Sequence, residues 1–514
     1  MINDAEELTR RWLRKTAALG LCLLASTRAG AQENAGDVGL ARALVATESV
    51  TVAWNRAIRV SRSMPTLQVV VMPQLRRGSA IHARAWAALR ELGASHVRFV
   101  PWVPYPRLAV AELEPPVTGS PSWNASLIDP IVADFMAATE RRPVMIDFST
   151  TPAWMWQTDR VVPYDDDPDR LVRGYGTQGS ELRDPSGKEL GAYYARLLGW
   201  YTAGGFTDDA GTRHTSGLRY RWHSWEVFNE PDIEHRTTPE QYTRRYDAIV
   251  SAMRPIAPEL KFVGMSLAYP GRAPDFFEYF LDPTHHRPGI PVDMISYHFY
   301  AKSTPDMPAT AYPHSFFDQA DRFVDVARYI DAIRRRRSPA TQTAINEVGT
   351  ILPGTPHDSI PASYWNLSGA LFAYTYAELA KLGVEIVAQS QLLGTPGQFP
   401  SVSMLDWTTG APNARYRALE LLIRSFAPGD TLMETSLGRY PVVFAQAFVA
   451  RDGHRRLLLV NKRDRPMLVV VRGAAGSTLA RVDQRTAGGI AQVTRVDGDR
   501  IELGGFGVAV LSLR

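Results

Sequence analysis

One stretch near the middle of the chain decides the fold, Trp222-His-Ser-Trp-Glu-Val-Phe-Asn-Glu-Pro-Asp232. It begins as an aromatic and β-branched run, which is typical of a short buried strand. Pro231 cannot donate a hydrogen bond to a sheet, so the strand ends close to Asn229 and Glu230. The stretch therefore predicts a carboxylate, that of Glu230, at the C-terminal tip of a core strand. A structural interpretation is also open, because Glu-Pro can simply close a strand.

A second stretch repeats the pattern, Gln342-Thr-Ala-Ile-Asn-Glu-Val-Gly-Thr350, an apolar strand that ends in Glu347. Glycoside hydrolysis requires two carboxylates. One protonates the departing oxygen, and the other attacks the anomeric carbon or activates water. Carboxylates at the tips of two different strands therefore favour the catalytic interpretation of Glu230 and Glu347.

Strand and helix patterns alternate through residues 66–428, which is the signal of a parallel sheet built from βα units. The predicted strands are Leu67–Met72, His96–Trp102, Pro143–Phe148, Trp222–Asn229, Leu260–Met265, Asp293–Tyr300, Thr343–Glu347 and Val384–Gln389. Helical spacing separates them, including residues 80–92, 240–256, 317–337 and 363–382. This alternation predicts an α/β fold of the (β/α)8 TIM-barrel class, in which active sites lie at the C-terminal ends of the strands.

The pattern changes after the barrel, where residues 429–514 contain short β-type runs separated by Gly, Asp and Asn turns. Such runs without intervening helices predict an all-β sandwich. Residues 32–65 combine a small and polar linker with a strand at Ser49–Ala53. We expect that strand to join the sandwich.

The first 31 residues have the organisation of an export signal. A basic region at Thr9–Lys15 precedes an apolar run at Thr16–Ser26 and a small-residue cleavage site at Ala29–Ala31. The adjacent arginines resemble a twin-arginine signal, and the apolar run is too short to span a bilayer. The sequence therefore predicts a bacterial protein that is periplasmic or secreted, without a membrane span.

The net charge and the cysteine content limit the kinds of ligand and partner that the protein is expected to bind. The predicted signal holds five basic and three acidic residues, so its removal lowers the net charge from +4 to +2. That balance gives no support for a nucleic-acid partner. The single cysteine, Cys22, falls inside the signal, which leaves the mature chain without disulfides or a thiolate metal site. We expect a carbohydrate substrate, no cofactor and no metal.

With these motifs placed, the sequence resembles glycoside hydrolase family 39, the β-xylosidases and α-L-iduronidases of the retaining (β/α)8 glycosidase clan. The resemblance spans most of the mature chain in order and includes the terminal β-sandwich. Four motifs carry it: Trp225–Asp232, Ile295–Tyr300, Ile345–Thr350 and Ser403–Trp407.

The resemblance implies that Glu230 is the acid/base and Glu347 the nucleophile. It further implies a set of substrate-contacting side chains in which Asn229 bonds the sugar 2-hydroxyl and Arg98 also keeps the nucleophile ionised. His298 and Tyr300 are the other members that the resemblance implies. Trp407 could stack on a sugar ring, and Trp102 is a further candidate substrate-binding residue. Two positions depart from the family pattern. Pro101-Trp102 stands where members often carry a histidine, and Asn346 stands where the residue before the nucleophile is often threonine.

A purely structural role remains open for several of these residues. Glu226 is expected to be a buried structural carboxylate, and Arg98 could be its ion-pair partner instead of the partner of Glu347. His298 could be a core histidine. We expect a retaining O-glycosidase, exo-acting on a β-xyloside or related pentoside. The other possibilities are an endo-acting glycanase that cleaves an exopolysaccharide, and an inactive carbohydrate-binding protein with the same barrel.

Overall fold

The structure is a computed structural model that describes residues 47–116, 122–158, 165–172, 179–209, 211–353, 360–438 and 442–513. The predicted export signal, residues 1–31, lies outside the described residues. So does the predicted linker as far as residue 46.

A closed barrel of eight parallel strands forms the centre of the fold, after an N-terminal strand β1 (Thr47–Val60). The barrel strands are β2 (Met64–Val70), β3 (Val97–Val100), β4 (Val144–Ile146), β9 (Ser224–Glu226), β10 (Lys261–Leu267), β11 (Met294–Lys302), β12 (Gln342–Ile351) and β13 (Ile386–Gln389). Sequential strands are neighbours, and β13 closes the barrel against β2. All eight strands predicted from the sequence are barrel strands, which confirms the TIM-barrel prediction.

The long connection between β4 and β9 contains two small hairpins. The first pairs β5 (Trp156–Gln157) with β6 (Glu181–Leu182), and the second pairs β7 (Gly205–Thr207) with β8 (Arg213–Thr215).

Eight α-helices accompany the strands in the part of the chain that the structure describes. They are α1 (His82–Leu92), α2 (Asp129–Ala138), α3 (Lys188–Thr202), α4 (Pro239–Met253), α5 (Pro274–Phe280), α6 (Tyr312–Arg337), α7 (Ala362–Leu382) and α8 (Ala414–Ser425). Local chemistry sets several of their ends. Thr238 and Gln241 form a reciprocal capping box that starts α4. Gly383, at φ 86°, takes the left-handed conformation that ends α7.

Alternation along β9 explains how one strand serves both the core and the site. Trp225 is fully buried and stacks on Phe148 with ring centroids 5.9 Å apart, while Tyr194 meets it edge-on at 5.8 Å. Neighbouring side chains on a strand point to opposite faces, so Glu226 projects into the barrel interior instead. The aromatic residues that made this stretch conspicuous in the sequence are therefore packing residues.

The C-terminal β domain contains β14 (Thr431–Ser436), β15 (Val443–Val449), β16 (Arg455–Asn461), β17 (Met467–Val471), β18 (Thr478–Val482), β19 (Gln492–Arg495), β20 (Arg500–Leu503) and β21 (Val508–Leu513). Strand β1 joins it through two halves. Residues 47–50 pair with β17 in one sheet, and residues 51–60 pair with β14 in the other. The apolar sides of both sheets form a core of their own, which confirms the predicted sandwich.

Aromatic contacts join the sandwich to the barrel helices. Tyr374 on α7 meets Phe444 with ring centroids 4.9 Å apart, and Phe426 after α8 meets Phe448 at 4.4 Å. The barrel core continues through these rings into the sandwich. None of the helices in the described ranges is long and apolar enough to cross a membrane.

Candidate active site

Polar side chains gather at the C-terminal ends of the barrel strands, because parallel strands bring those ends to one face. Glu230 follows β9, and Glu347 lies on β12. His298 and Tyr300 lie on β11, and Arg98 lies on β3. These five residues, all predicted from the sequence as site residues, thus come from four different strands. They meet at one end of the barrel.

Both carboxylates face a cavity of about 610 Å³ at this end. Its lining also includes Asn229, His298, Tyr300 and Trp102. Glu230 and Glu347 are largely buried, with 12% and 9% of their side chains exposed. A volume of this size suits a small ligand such as one or a few sugar rings.

The separation of the two carboxylates matches one of the two geometries of glycoside hydrolysis. One oxygen of Glu230 lies within 4.8 Å of one oxygen of Glu347. Enzymes that form a glycosyl intermediate hold their carboxyl groups about 5–5.5 Å apart, whereas inverting enzymes leave about 6.5–9.5 Å for a water molecule. The separation of Glu230 and Glu347 is closer to the first of these geometries than to the second.

His298 lies between the two acids. Its Nδ1 is 2.9 Å from Glu230 Oε1 and 3.5 Å from Glu347 Oε2, and its Nε2 is 3.0 Å from Ser266 Oγ. Burial disfavours the charged ring, but the two carboxylates outweigh it and raise the pKa of His298. The imidazole is therefore held as a partner of the carboxylates, and it is not an inert core residue.

The surroundings move the two acids in opposite directions. Burial and the nearby charge of Glu347 raise the pKa of Glu230, although the His298 contact opposes them. Burial by itself would raise the pKa of Glu347, but the charges of His298 and Arg98 and the hydrogen bond from Tyr300 lower it. A raised pKa on one carboxyl group beside a lowered pKa on the other favours a division into a proton donor and an ionised carboxylate.

Arg98 holds the base of the site together. Its side chain is 1% exposed, and its guanidinium donates to three carboxylates: Glu226 at 2.5 Å, Asp147 at 2.7 Å and Glu347 at 2.7 Å. It also donates to Asn229 Oδ1 at 2.8 Å. The two interpretations left open by the sequence, a partner for Glu226 and a partner for Glu347, are both realised by one side chain.

Asp147 was not singled out from the sequence. Burial, reinforced by the nearby Glu226, raises the pKa of its carboxyl well above the usual value despite the contact with Arg98. Asp147 follows a short apolar strand and is therefore a strand-tip carboxylate like Glu230 and Glu347. This position in the sequence could have identified Asp147 as a site residue.

A β-bulge on β12 lies at Asn346, directly before Glu347. Tyr297 pairs with Ile345 and His298 pairs with Glu347, so Asn346 is the extra residue on β12. A bulge lets two successive side chains turn inward. Asn346 Nδ2 donates to Glu226 Oε1 at 2.6 Å, beneath the cavity, while Glu347 faces the cavity.

The turn after β9 aims Asn229 and Glu230. Phe228 and Glu230 both have positive φ, 66° and 42°, which is uncommon for residues with a side chain and is often found at functional sites. Asn229 Nδ2 donates to Glu234 Oε1 at 2.8 Å, and the indole of Trp102 donates to the same oxygen at 2.8 Å. Glu234 thus fixes the Asn229 amide, a role that the sequence analysis did not assign.

Tyr300 completes the contacts of Glu347. Its hydroxyl donates to Glu347 Oε2 at 2.5 Å and lies 2.5 Å from Ser390 Oγ, which also accepts from Gln68 at 2.8 Å. Ser390 and Gln391 are joined by a cis peptide bond. Both oxygens of Glu347 are therefore held, one by Arg98 and one by Tyr300.

Two residues expected to touch the sugar do not line the cavity. Arg98 lies beneath the cavity, because three carboxylates draw its guanidinium into the barrel interior. Trp407 is partly buried against the barrel core, where part of its large apolar surface is removed from water. Several aromatic side chains line the cavity, and two of them, Trp102 and Phe399, stack with ring centroids 6.2 Å apart. Phe399 is 42% exposed and was not predicted.

Glu230, His298 and Glu347 together have the donor types and spacing of a cation site, with one atom from each within 4.8 Å of the others. The contacts argue against that use. Arg98 places a permanent positive charge 2.7 Å from Glu347 and would repel a metal ion.

Comparison with known proteins supports the architecture. Residues 443–511 match the family described as D-apionate lactonase, C-terminal immunoglobulin-like domain. No curated protein sequence matches the chain significantly.

Several solved structures share the fold along most of the chain. A GH51 arabinofuranosidase from Xanthomonas axonopodis pv. citri is 13% identical, with a TM-score of 0.61 over 91% of this chain and 100% of that one. A glucosidase from Croceicoccus marinus is 14% identical, with a TM-score of 0.57 over 92% and 99%. A GH30 endoxylanase from Clostridium papyrosolvens C71 is 13% identical, with a TM-score of 0.54 over 91% and 100%. The chain therefore shares its fold with these glycosidases.

Proposed function

We propose that this protein is a retaining glycoside hydrolase in which Glu347 is the nucleophile and Glu230 the acid/base. One observation carries the proposal. The two carboxylates lie within 4.8 Å of each other in one cavity, and their surroundings raise the pKa of one and lower that of the other. The shared fold of an arabinofuranosidase, a glucosidase and an endoxylanase supports it.

The reaction follows from the contacts in two steps. In the first, the Glu347 carboxylate bonds to the anomeric carbon as the glycosidic C–O bond breaks, and Glu230 gives its proton to the departing oxygen. In the second, Glu230 takes a proton from water, whose oxygen displaces Glu347 and regenerates the free carboxylate. Arg98 and Tyr300 stabilise the Glu347 carboxylate before attack and after release.

Asn229 is positioned to recognise the sugar 2-hydroxyl. Its amide oxygen accepts from Arg98 and one amide hydrogen goes to Glu234, so the orientation of the group is fixed. The second amide hydrogen remains for a hydroxyl in the cavity. A contact to the 2-hydroxyl strengthens in the transition state, which makes this residue a contributor to rate.

The finer assignment is an exo-acting enzyme of glycoside hydrolase family 39 that removes a β-xyloside or related pentoside. The motifs around Glu230 and Glu347 support the family, and the arabinofuranosidase and endoxylanase of similar fold fit a pentose sugar.

Endo action on a polysaccharide is the second candidate. It is favoured by the cavity lining, which continues past Tyr300 to Lys302 and so leaves room for neighbouring sugar rings.

We also propose that the protein is exported to the periplasm or secreted, which the basic and apolar segments of residues 9–26 support.

Covalent trapping tests the proposal directly. A 2-fluoro glycoside slows the second step and leaves the sugar on the nucleophile, and peptide mapping then finds the label. The glycone is first chosen by release of nitrophenol from a panel of aryl glycosides. We expect the label on Glu347 and none in Glu347→Gln. A label on any other residue overturns the assignment, and Glu278→Gln on the surface serves as the matched charge control.

A further inference from the structure

One part of the cavity wall is positively charged. Arg272, Lys302 and Arg322 line the same cavity as the catalytic pair. Apart from Glu230 and Glu347, the described residues that line the cavity include no carboxylate. The predicted mature chain is close to neutral, so a cluster of cations at this place does not simply follow from a basic composition.

Tyr269 organises two of these cations. The Arg272 guanidinium lies 4.7 Å and the Lys302 ammonium 4.9 Å from the centroid of its ring, within the range of cation–π attraction. The Lys302 ammonium also donates to the Tyr269 hydroxyl at 3.2 Å. The two positive charges therefore share one aromatic support in the cavity wall.

This wall is tied to the loop that carries the acid/base. Asp232, two residues after Glu230, accepts from the backbone N–H of Ala268 at 2.9 Å and of Tyr269 at 3.0 Å. Asp232 thereby uses its carboxylate to fix the loop and does not line the cavity. The distance between the cations and the acid/base is set by backbone contacts, which suits a subsite that must act together with the catalytic pair.

Within the described ranges, the charges of Arg272 and Lys302 have no carboxylate close enough to neutralise them. Arg322 pairs with Asp318 at 2.8 Å, whereas neither Arg272 nor Lys302 has a carboxylate partner among the residues that the structure describes. Arg322 lies three residues after Gln319, which exchanges two hydrogen bonds with the Lys302 backbone at 2.9 and 3.0 Å. Helix α6 thus brings the third cation beside the first two.

The position of Lys302 shows which part of a substrate would meet these charges. His298, Tyr300 and Lys302 alternate along β11, and all three line the cavity. Four residues of strand at about 3.3 Å each place the Lys302 backbone about 13 Å beyond that of His298. The ring being cleaved must lie at His298 and Tyr300, beside the carboxylates, so the cations meet the ring next to it.

We propose that Arg272 and Lys302, with Arg322 at their side, form a subsite for an anionic group on the sugar residue next to the one that is cleaved. The anion is a carboxylate or a sulfate ester, both of which pair with a guanidinium in a forked arrangement and with an ammonium as a point charge. The substrate is then an acidic glycan. This inference rests on the proposed glycosidase function and adds the charge of the substrate to it.

Binding to matched glycans tests the subsite without turnover. The full chain carrying Glu230→Gln is applied to an array of oligosaccharide pairs. One kind of pair is a uronate and its carboxyl-reduced form, and the other is a sulfated glycan and its unsulfated form. The preferred pair is then titrated by calorimetry at low and high salt. The two kinds of pair distinguish a carboxylate from a sulfate.

We expect the acidic member of at least one pair to bind roughly tenfold more tightly, as two partly exposed ion pairs allow. Arg272→Gln/Lys302→Gln, added to the binding chain, should remove that preference and leave the affinity for the neutral member unchanged. The charge-matched control Arg328→Gln/Arg335→Gln, on α6 but outside the cavity lining, should retain it. Thermal unfolding verifies that both double variants are folded. Equal binding of acidic and neutral members, absence of binding to every acidic member, or an unchanged preference in the cavity variant overturns the subsite.

Measurements of hydrolysis distinguish failure of the anionic subsite from failure of the proposed glycosidase function. If wild type cleaves a neutral aryl glycoside through Glu347 but ignores charge on the array, the hydrolase stands and the subsite falls. If acidic glycans bind in the charge-dependent manner but wild type cleaves neither them nor any aryl glycoside, the subsite stands and the hydrolase falls.

Discussion

Arg98 Nη1 donates to Glu347 Oε1 across 2.7 Å at the base of the cavity, while the same guanidinium binds Glu226 and Asp147. One buried cation thus helps to lower the pKa of Glu347 and also holds acidic side chains together inside the barrel. Stability and the proposed catalysis are therefore linked at this residue.

Removal of the Arg98 charge should destabilise the fold. Arg98→Met leaves three buried carboxylates without their cation, and breaking a buried ion pair in this way costs about 3–5 kcal/mol. Denaturant unfolding measures the loss, with Arg322→Met as the control, because that arginine is 68% exposed and should change the free energy of unfolding by less than about 0.5 kcal/mol. Equal stability of the two variants would contradict the central role of Arg98.

The two carboxylates should respond differently to the leaving group. Glu230→Gln removes the proton donor, so hydrolysis of substrates with poor leaving groups should slow by about 10²–10⁴-fold, and activated aryl glycosides should lose much less. Glu347→Gln should abolish activity on both classes, because no glycosyl intermediate can form. Steady-state rates against the pKa of the leaving phenol measure the difference. Parallel losses in the two variants would contradict the assigned roles.

The pH dependence of kcat/KM should be bell-shaped. Glu347 must be ionised, so activity is lost as pH falls through its lowered pKa. Glu230 must be protonated, so activity is lost as pH rises through its raised pKa. Tyr300→Phe removes one hydrogen bond that lowers the pKa of Glu347 and should move the acidic limb to higher pH while the alkaline limb changes less. Movement of the alkaline limb alone would contradict the proposal.

The stacked pair Trp102 and Phe399 should contribute to substrate binding. Phe399 is 42% exposed and stacks on Trp102, so Phe399→Ala should raise KM several-fold through lost contact with the sugar and change the free energy of unfolding little. Trp407 lies against the core, so Trp407→Ala should do the reverse, with a loss of stability below the roughly 3–5 kcal/mol of a fully buried tryptophan. Kinetics and thermal unfolding of the two variants, with Phe399→Tyr as the conservative control, decide between these roles. A raised KM in Trp407→Ala would place that residue back in the site.

Asn346 should contribute to stability from beneath the cavity. Asn346→Ala removes a 2.6 Å hydrogen bond to the fully buried Glu226 and should lower the free energy of unfolding by about 1–3 kcal/mol. The choice of glycone should not change, because the side chain faces the barrel interior. The ratio of kcat/KM values on two aryl glycosides measures this, and a reversed preference would show that Asn346 reads the sugar.

The sequence by itself determined the barrel, the sandwich and the two carboxylates, because each rests on local chemistry. Period-2 and period-3.6 patterns define strands and helices, and Pro231 ends β9 beside Glu230 wherever the strand lies in space. The tertiary structure alone decided which groups meet at the cavity. The triple pairing of Arg98, the inward turn of Asn346 at a bulge, and the placing of Phe399 instead of Trp407 beside Trp102 all depend on register and loop path. Contacts between residues far apart in the chain are set by the closure of the barrel and leave no local pattern, so no reading of neighbouring residues could supply them.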